Sequence, residues 1–371
     1  LQDVRRDWGT PLAAVHDLRQ ALIIAAGEVF PTTPQFLCHY HLAADVGKDI
    51  LSSHVDKLRR LFRRTKVRPK LRALVRSLKD FAVSKDATQH IITPVLGLRS
   101  KGKLQQYCTP EVAKGTAHAL ASWILAFSHS GEGYGFPFDM PYLALYQRIL
   151  DAHQVLCEAG KRSPKRTRGP LASLNRLREI LDTVATGEYA AEFRVIVSET
   201  KRDQKVFESF RAALRICPKG GKQRRNDDGA PTALSRKRHE ASLRQLRTSL
   251  QRRARSGSPS GPACKIVVDH LDKYWKLLFG HVLRQHSRKN ITVPRTNNVE
   301  ERLFRTVKRQ CRRLHGRAHL SHDIEAMLPA VPLVLNLSNQ SYCETVYGGQ
   351  EPAKVAARFS SVSSDLPAQL I

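Results

Sequence analysis

The sequence predicts an α/β core interrupted by a long, mostly α-helical insertion. Three observations carry that expectation. The chain opens with short apolar runs alternating with amphipathic stretches, the strand, helix, strand, helix rhythm of a parallel α/β unit. From about Thr65 to Cys217 the text turns almost wholly helical. After a span rich in glycine, serine, proline and basic residues, an amphipathic helix with a start signal returns within Val293 to Leu314.

Pro11 to His16 is a short apolar run ending at Asp17, and it reads as a buried strand with an acid at its end. Leu18 to Phe30 follows with helical spacing, and Pro31 and Pro34 stop it. Gln35 to His41 is a second strand-like segment, and Leu42 to Phe62 a long amphipathic helix with a basic outer face. An acid at the carboxyl end of such a strand stands where α/β folds keep their chemistry.

In the helical text, Leu71, Leu74, Val75, Leu78 and Phe81 form one apolar stripe, and Ala119 to Phe127 another around Trp123. Gly131 to Pro141, GEGYGFPFDMP, is a turn-rich break. Tyr142 to Ala159 and Leu171 to Val184 are further helices, and Ile266 to Val282 is an apolar helix carrying Tyr274, Trp275 and Phe279. No fixed-period repeat is visible. The organisation expected is 1–63 as the C-terminal part of the core, 64–217 as the helical insertion, and 218–262 as a basic flexible linker, with a surface helix in its middle. Residues 263–345 are then a helix pair returning to the core, and 346–371 a polar tail.

Composition bounds the partners. The 371 residues suffice for two or three domains, or for one with a large insertion, and 41% hydrophobic content supports a real core. Lysine and arginine number 62 against 33 acids, a net charge of +29. Such a surplus points to an extended polyanion, most simply nucleic acid, because neutralised phosphates release counterions. No apolar run is long enough for a membrane span; Met327 to Leu337 is too short and holds two prolines. Seven cysteines without a C-x-x-C pair read as reduced thiols of a cytosolic protein. Leu1 in place of methionine suggests that the natural beginning lies upstream.

The returning helix is the most informative stretch. Asn297 is a strong N-cap, and Glu300 sits where a capping-box acid reaches back. Leu303, Phe304, Val307, Cys311 and Leu314 recur at core-facing spacing, with Arg302, Arg305, Lys308, Arg309, Arg312 and Arg313 on the remaining surface. Carboxylates from distant segments, here Asp17 with Glu300 or Glu301, can hold divalent cations for phosphoryl transfer. Each also has a plain structural reading. Asp17 could cap the helix from Leu18, Glu300 could complete the capping box, and Glu301 could pair with Arg305 one turn on.

Several separated blocks together resemble a DDE-type transposase, nearest the Mutator-like branch and its bacterial insertion-sequence counterparts. They are Asp17, Cys38-His39-Tyr40-His41, Asp45-Val-Gly-Lys-Asp49, Phe136-Pro-Phe-Asp139, Leu278-Phe-Gly-His281, and Thr296-Asn-Asn-Val-Glu-Glu-Arg-Leu-Phe-Arg305 with Lys308-Arg309. The resemblance implies an RNase H-like core with an α-helical insertion, and Mg²⁺- or Mn²⁺-dependent DNA strand cleavage and joining. Asp17 resembles the second acid of the catalytic triad and Glu301 the third, both as metal ligands, leaving Glu300 to the capping box. Cys38 and His41 match the family's C-x-x-H element, in a structural or DNA-positioning role. Arg302, Arg305, Lys308, Arg309 and Arg312 would hold phosphates.

The family's first acid lies on an earlier strand, and only sixteen residues precede Asp17. The chain is therefore expected to lack the first strands of its core and to be inactive alone. A Cys₂His₂ zinc set from Cys38, His41, Cys311 and His315 has ligand-like spacing, but Cys311 is more simply a core residue, so zinc is the disfavoured ion. The expected partners are DNA, at element ends and target, and a second copy on that DNA, in the cytoplasm at the nucleoid, with no membrane. The rival expectation is a non-catalytic helical nucleic-acid-binding protein whose acids only cap helices.

Overall fold

In a computed structural model of the chain, residues 1–82, 110–161, 172–216, 233–279, 282–284 and 290–296 are described, with short pieces at 309, 312–313, 343–344, 350–351 and 354. The chain divides into two compact units, 1–296 and 297–371, and the architecture below is that of the first.

Helix α1 (Gln2–Trp8) precedes strand β1 (Ala14–His16). Helix α2 (Gln20–Val29) then leads to strand β2 (Gln35–Leu37), which pairs with β1 in parallel, Val15 opposite Phe36. This reproduces the opening rhythm, yet the expected α/β RNase H-like core is not what these residues build. The β1–β2 pair is a sheet of two strands, and the other described sheet is the antiparallel pair β3 (Val282–Arg284) and β4 (Asn290–Thr292). Pairs of three-residue strands bury too little to organise a domain, since three or more strands are ordinarily needed for independent stability. The described residues are overwhelmingly helical, and their core lies between helices.

The reason is visible in the spacing of apolar residues. Helix α3 (His39–Arg64) runs 26 residues, roughly 39 Å. It buries Leu42, Val46, Ile50, Leu51, Leu58 and Leu61 along one side. After the two-residue corner Thr65-Lys66, helix α4 (Val67–Ser77) buries Val67, Leu71 and Leu74. Lys66 takes the left-handed conformation, φ 51°, which lets the chain turn sharply there. Helices α5 (Pro110–Leu125), α6 (Pro141–Lys161) and α7 (Ala172–Ala185) follow, then α8 (Ala190–Leu214).

Helix α8 lies along α3 and sends Phe193, Phe207 and Phe210, all fully buried, into the same core as Leu58 and Leu120. Burying each such ring contributes about 1.5–3 kcal/mol. His54 and Asp203 bridge the two helices at 3.0 Å inside this core, and Arg202 satisfies the second carboxylate oxygen at 2.9 Å. Within 218–262, expected to be a flexible linker with a surface helix in its middle, Ala233–Arg255 forms helix α9. It packs on helix α10 (Gly261–Tyr274) with Leu243 and Leu250 buried. No helix of the described residues is long and apolar enough to cross a membrane.

Candidate functional site

Parallel pairing brings the carboxyl ends of β1 and β2 to one edge. Asp17 follows the last residue of β1, and Cys38-His39-Tyr40-His41 follows β2 and opens α3. The Cys38 amide continues the ladder by donating to the His16 carbonyl at 2.7 Å. Asp17 does not cap α2: that helix begins at Gln20 with Arg19 in the cap position. Instead Asp17 Oδ1 lies 2.9 Å from His41 Nδ1, with side-chain exposures of 36% and 29%. The neighbouring His16 is buried, and desolvation holds its pKa below the ordinary histidine value, against opposing contributions from Gln35 and Asp17.

The tetrapeptide divides between two environments. Cys38 and His39 are fully buried, while His41 reaches the edge beside Asp17. His39 Nε2 lies 3.0 Å from the Leu278 carbonyl, to which it donates. That tautomer leaves His39 Nδ1 as an acceptor for Arg295 Nη1 at 3.3 Å. Arg295, itself buried, also donates to the Leu214 carbonyl at 2.9 Å, and its own carbonyl accepts the His39 amide at 2.9 Å. His39 thus fastens the start of α3 to Leu278 and to Arg295, and Arg295 in turn holds the end of α8.

His239 of α9 packs 5.8 Å from the His39 ring, centroid to centroid. Burial, with the positive charges of Arg295 and Arg215, pushes its pKa down to about 4.

The remaining blocks gather at the same end. Tyr40 stacks on Phe138 with centroids 5.2 Å apart. A methyl group added at Gly47 would collide with Pro137 and with the Phe207 ring, so the glycine of the Asp45–Asp49 block is required by close approach. Asp139 accepts the Glu132 and Gly135 amides, each at 2.8 Å, which makes it the organiser of its own loop. His270 of α10 holds Asp49 at 2.8 Å.

Other expected site residues stand differently. Glu300, Glu301, Arg302, Arg305 and Lys308 lie outside the described residues; Arg309 and Arg312 are described and exposed. Of the zinc set, Cys38 is buried and His41 is at the edge, while Cys311 and His315 lie outside the described residues. Among the described residues no three His, Cys, Asp or Glu side chains are grouped to hold a metal ion.

Sequence reasoning gave no role to His39, Arg295 or His239. In so basic a chain, an arginine before Thr-Asn-Asn looks like one more phosphate contact, and periodicity does not reveal that it is buried. Compared with protein-family models, with curated proteins and with solved structures, the chain matches none of them.

Proposed function

We propose that this chain works on DNA as part of a DDE-type transposase, with Asp17 and Glu301 as its metal-binding acids. The observation that carries the reading is the meeting of the resembling blocks. Cys38–His41, Asp45–Asp49, Phe136–Asp139 and Leu278 are up to 240 positions apart in the sequence, yet they touch through Tyr40–Phe138, Gly47–Pro137 and His39–Leu278, and Arg295, which precedes the Thr296 block, meets His39. Blocks singled out by one resemblance have no reason to assemble at one place if the resemblance is accidental. Glu301 follows Thr296 by five positions in the sequence, and the His39 contacts fix Arg295 just before that block.

Asp17 suits its assigned role. A partly open carboxylate at a strand end offers the hard oxygens that Mg²⁺ or Mn²⁺ take. Asp17 and Glu301 would hold the ion, which when bound supplies charge neutralisation and a deprotonated nucleophile for phosphodiester cleavage. His41 Nδ1 stands 2.9 Å from Asp17 Oδ1 at the same strand end. The cations Arg302, Arg305, Lys308, Arg309 and Arg312 would clamp backbone phosphates without reading bases.

The test is metal-dependent nicking, by the protein, of DNA carrying the ends of the element that encodes it. Asp17→Asn and Glu301→Gln should each abolish cleavage while DNA binding persists or tightens. Unchanged cleavage in both variants would sink the proposal.

The Asp17–His41 contact also favours a second reading. A carboxylate already held by an imidazole needs no metal, and a helical DNA-binding protein without catalysis would keep the same pair. On that reading no metal-dependent cleavage appears in any variant, and DNA binding is the whole activity.

A further inference from the structure

From Lys57 to Lys79 the sequence has eleven lysines and arginines and no acid. These residues are the second half of α3, the Thr65-Lys66 corner and α4. All of the apolar side chains of α3 in this span, Leu58, Leu61 and Phe62, are buried, as are Leu71 and Leu74 of α4. What faces outward is almost wholly cationic: Lys57, Arg60, Arg63, Lys66, Arg72 and Arg76 are exposed. Among the described residues Arg63, Arg72 and Arg76 make no ion pair, whereas Arg59 is held by Asp56 and Arg64 lies 3.9 Å from Glu192.

Folding alone does not call for this. Arg60–Arg64, Arg59–Arg63 and Arg72–Arg76 are like charges one helical turn apart, each costing about 0.2–0.5 kcal/mol. Helix α8, of nearly the same length, shows the ordinary solution: five cations interleaved with four acids.

We propose that the α3–α4 corner is a second DNA surface, in addition to the cations at 302–312, which grips the sugar-phosphate backbone by charge alone. It rests on the transposase reading and adds where a second stretch of duplex is held. The row from Lys57 to Arg64 covers roughly 10 Å of helix axis, the length of about three nucleotides of one strand. An anionic membrane fits less well, because a membrane-lying helix needs apolar side chains to insert, and those of α3 and α4 are spent in the core. The missing counterions are supplied by phosphates, and their release drives binding.

The experiment compares the salt dependence of duplex binding by the full chain with that of two quadruple variants. In one, Arg60, Arg63, Arg72 and Arg76 become Gln; in the other they become Lys. If each cation neutralises one phosphate, the slope of log affinity against log salt falls by about 3–4 in the Gln variant, and it stays unchanged in the Lys variant.

An unaltered slope in the Gln variant, with the slope lost instead on changing Arg302, Arg305, Lys308 and Arg309 to Gln, overturns the second surface and leaves the transposase reading standing. A wild-type chain that binds no duplex even at low salt overturns both. Binding to phosphatidylcholine–phosphatidylserine vesicles that falls in the Gln variant while duplex binding holds reassigns the surface to a membrane and also overturns the proposal.

Discussion

His39 and His41 stand two positions apart at the start of α3 and serve opposite ends. His39 is fully buried, with both ring nitrogens engaged, by Leu278 and Arg295. His41 lies partly open beside Asp17 at the strand edge. The first ring fixes the geometry that the second can use. A polar group buried among fixed partners cannot be removed without stranding them, whereas a group at an open edge can change partners at little cost to the fold. The contrast separates residues that hold the site together from those that could carry its chemistry, and measurements can break or sharpen it.

The largest expected effect is at the buried ring. His39→Ala takes one of two acceptors from Arg295 Nη1, which keeps Leu214, strands the Leu278 carbonyl and leaves a cavity, and should cost about 3 kcal/mol or more of unfolding free energy. A chemical-denaturation midpoint close to wild type would erase the contrast. Next comes Gly47→Ala, whose added methyl must displace Pro137 and Phe207. Overpacking of this kind costs about 1–3 kcal/mol, read as a lowered Tm, with core packing around Phe207 disturbed and Asp17 untouched.

A smaller effect sharpens the contrast through pH. His239 has its pKa lowered to about 4, so between the unfolded value near 6.5 and that value the unfolded chain binds the extra proton. Its contribution is therefore full above about pH 6.5 and is lost as the pH falls toward 4. At pH 5 the loss should be about 2 kcal/mol. A His239→Gln variant should show a flatter stability profile between pH 7.5 and 5, whatever its stability at neutral pH. If the two profiles are parallel, His239 is not the titrating group.

The smallest effect on stability belongs to the edge. Asp17→Asn and His41→Ala should each change unfolding free energy by no more than about 0.5 kcal/mol, while under the proposed function Asp17→Asn should abolish metal-dependent cleavage. A destabilisation comparable to that of His39→Ala would make the edge part of the scaffold after all.

Much of this was legible in the residues themselves. The alternation of apolar runs placed both parallel strands and the helices after them, because side-chain period and the prolines at 31 and 34 are local properties. The aromatic loop Gly131 to Pro141 and the helices on either side of it were visible for the same reason. The fold class was not. Two short apolar strands look like the edge of a large sheet, and no local signal reports that the described residues answer each with a single partner. Helix α9 shows the same limit from the other side. Its text is so rich in arginine that it reads as a solvated surface element, yet Leu243 and Leu250 are enough to seat it on α10.

By itself, the sequence determined the local elements, the cationic surplus and the spacing of the blocks, because propensity, periodicity and charge belong to neighbouring residues. Only the tertiary structure decided which histidine of the pair is buried, that Arg295 is a tie rather than a phosphate contact, and that Asp17 faces His41 rather than capping a helix. Each of those outcomes depends on partners between 24 and 256 positions away, and burial at that distance is fixed by how helices pack, not by any pattern along the chain.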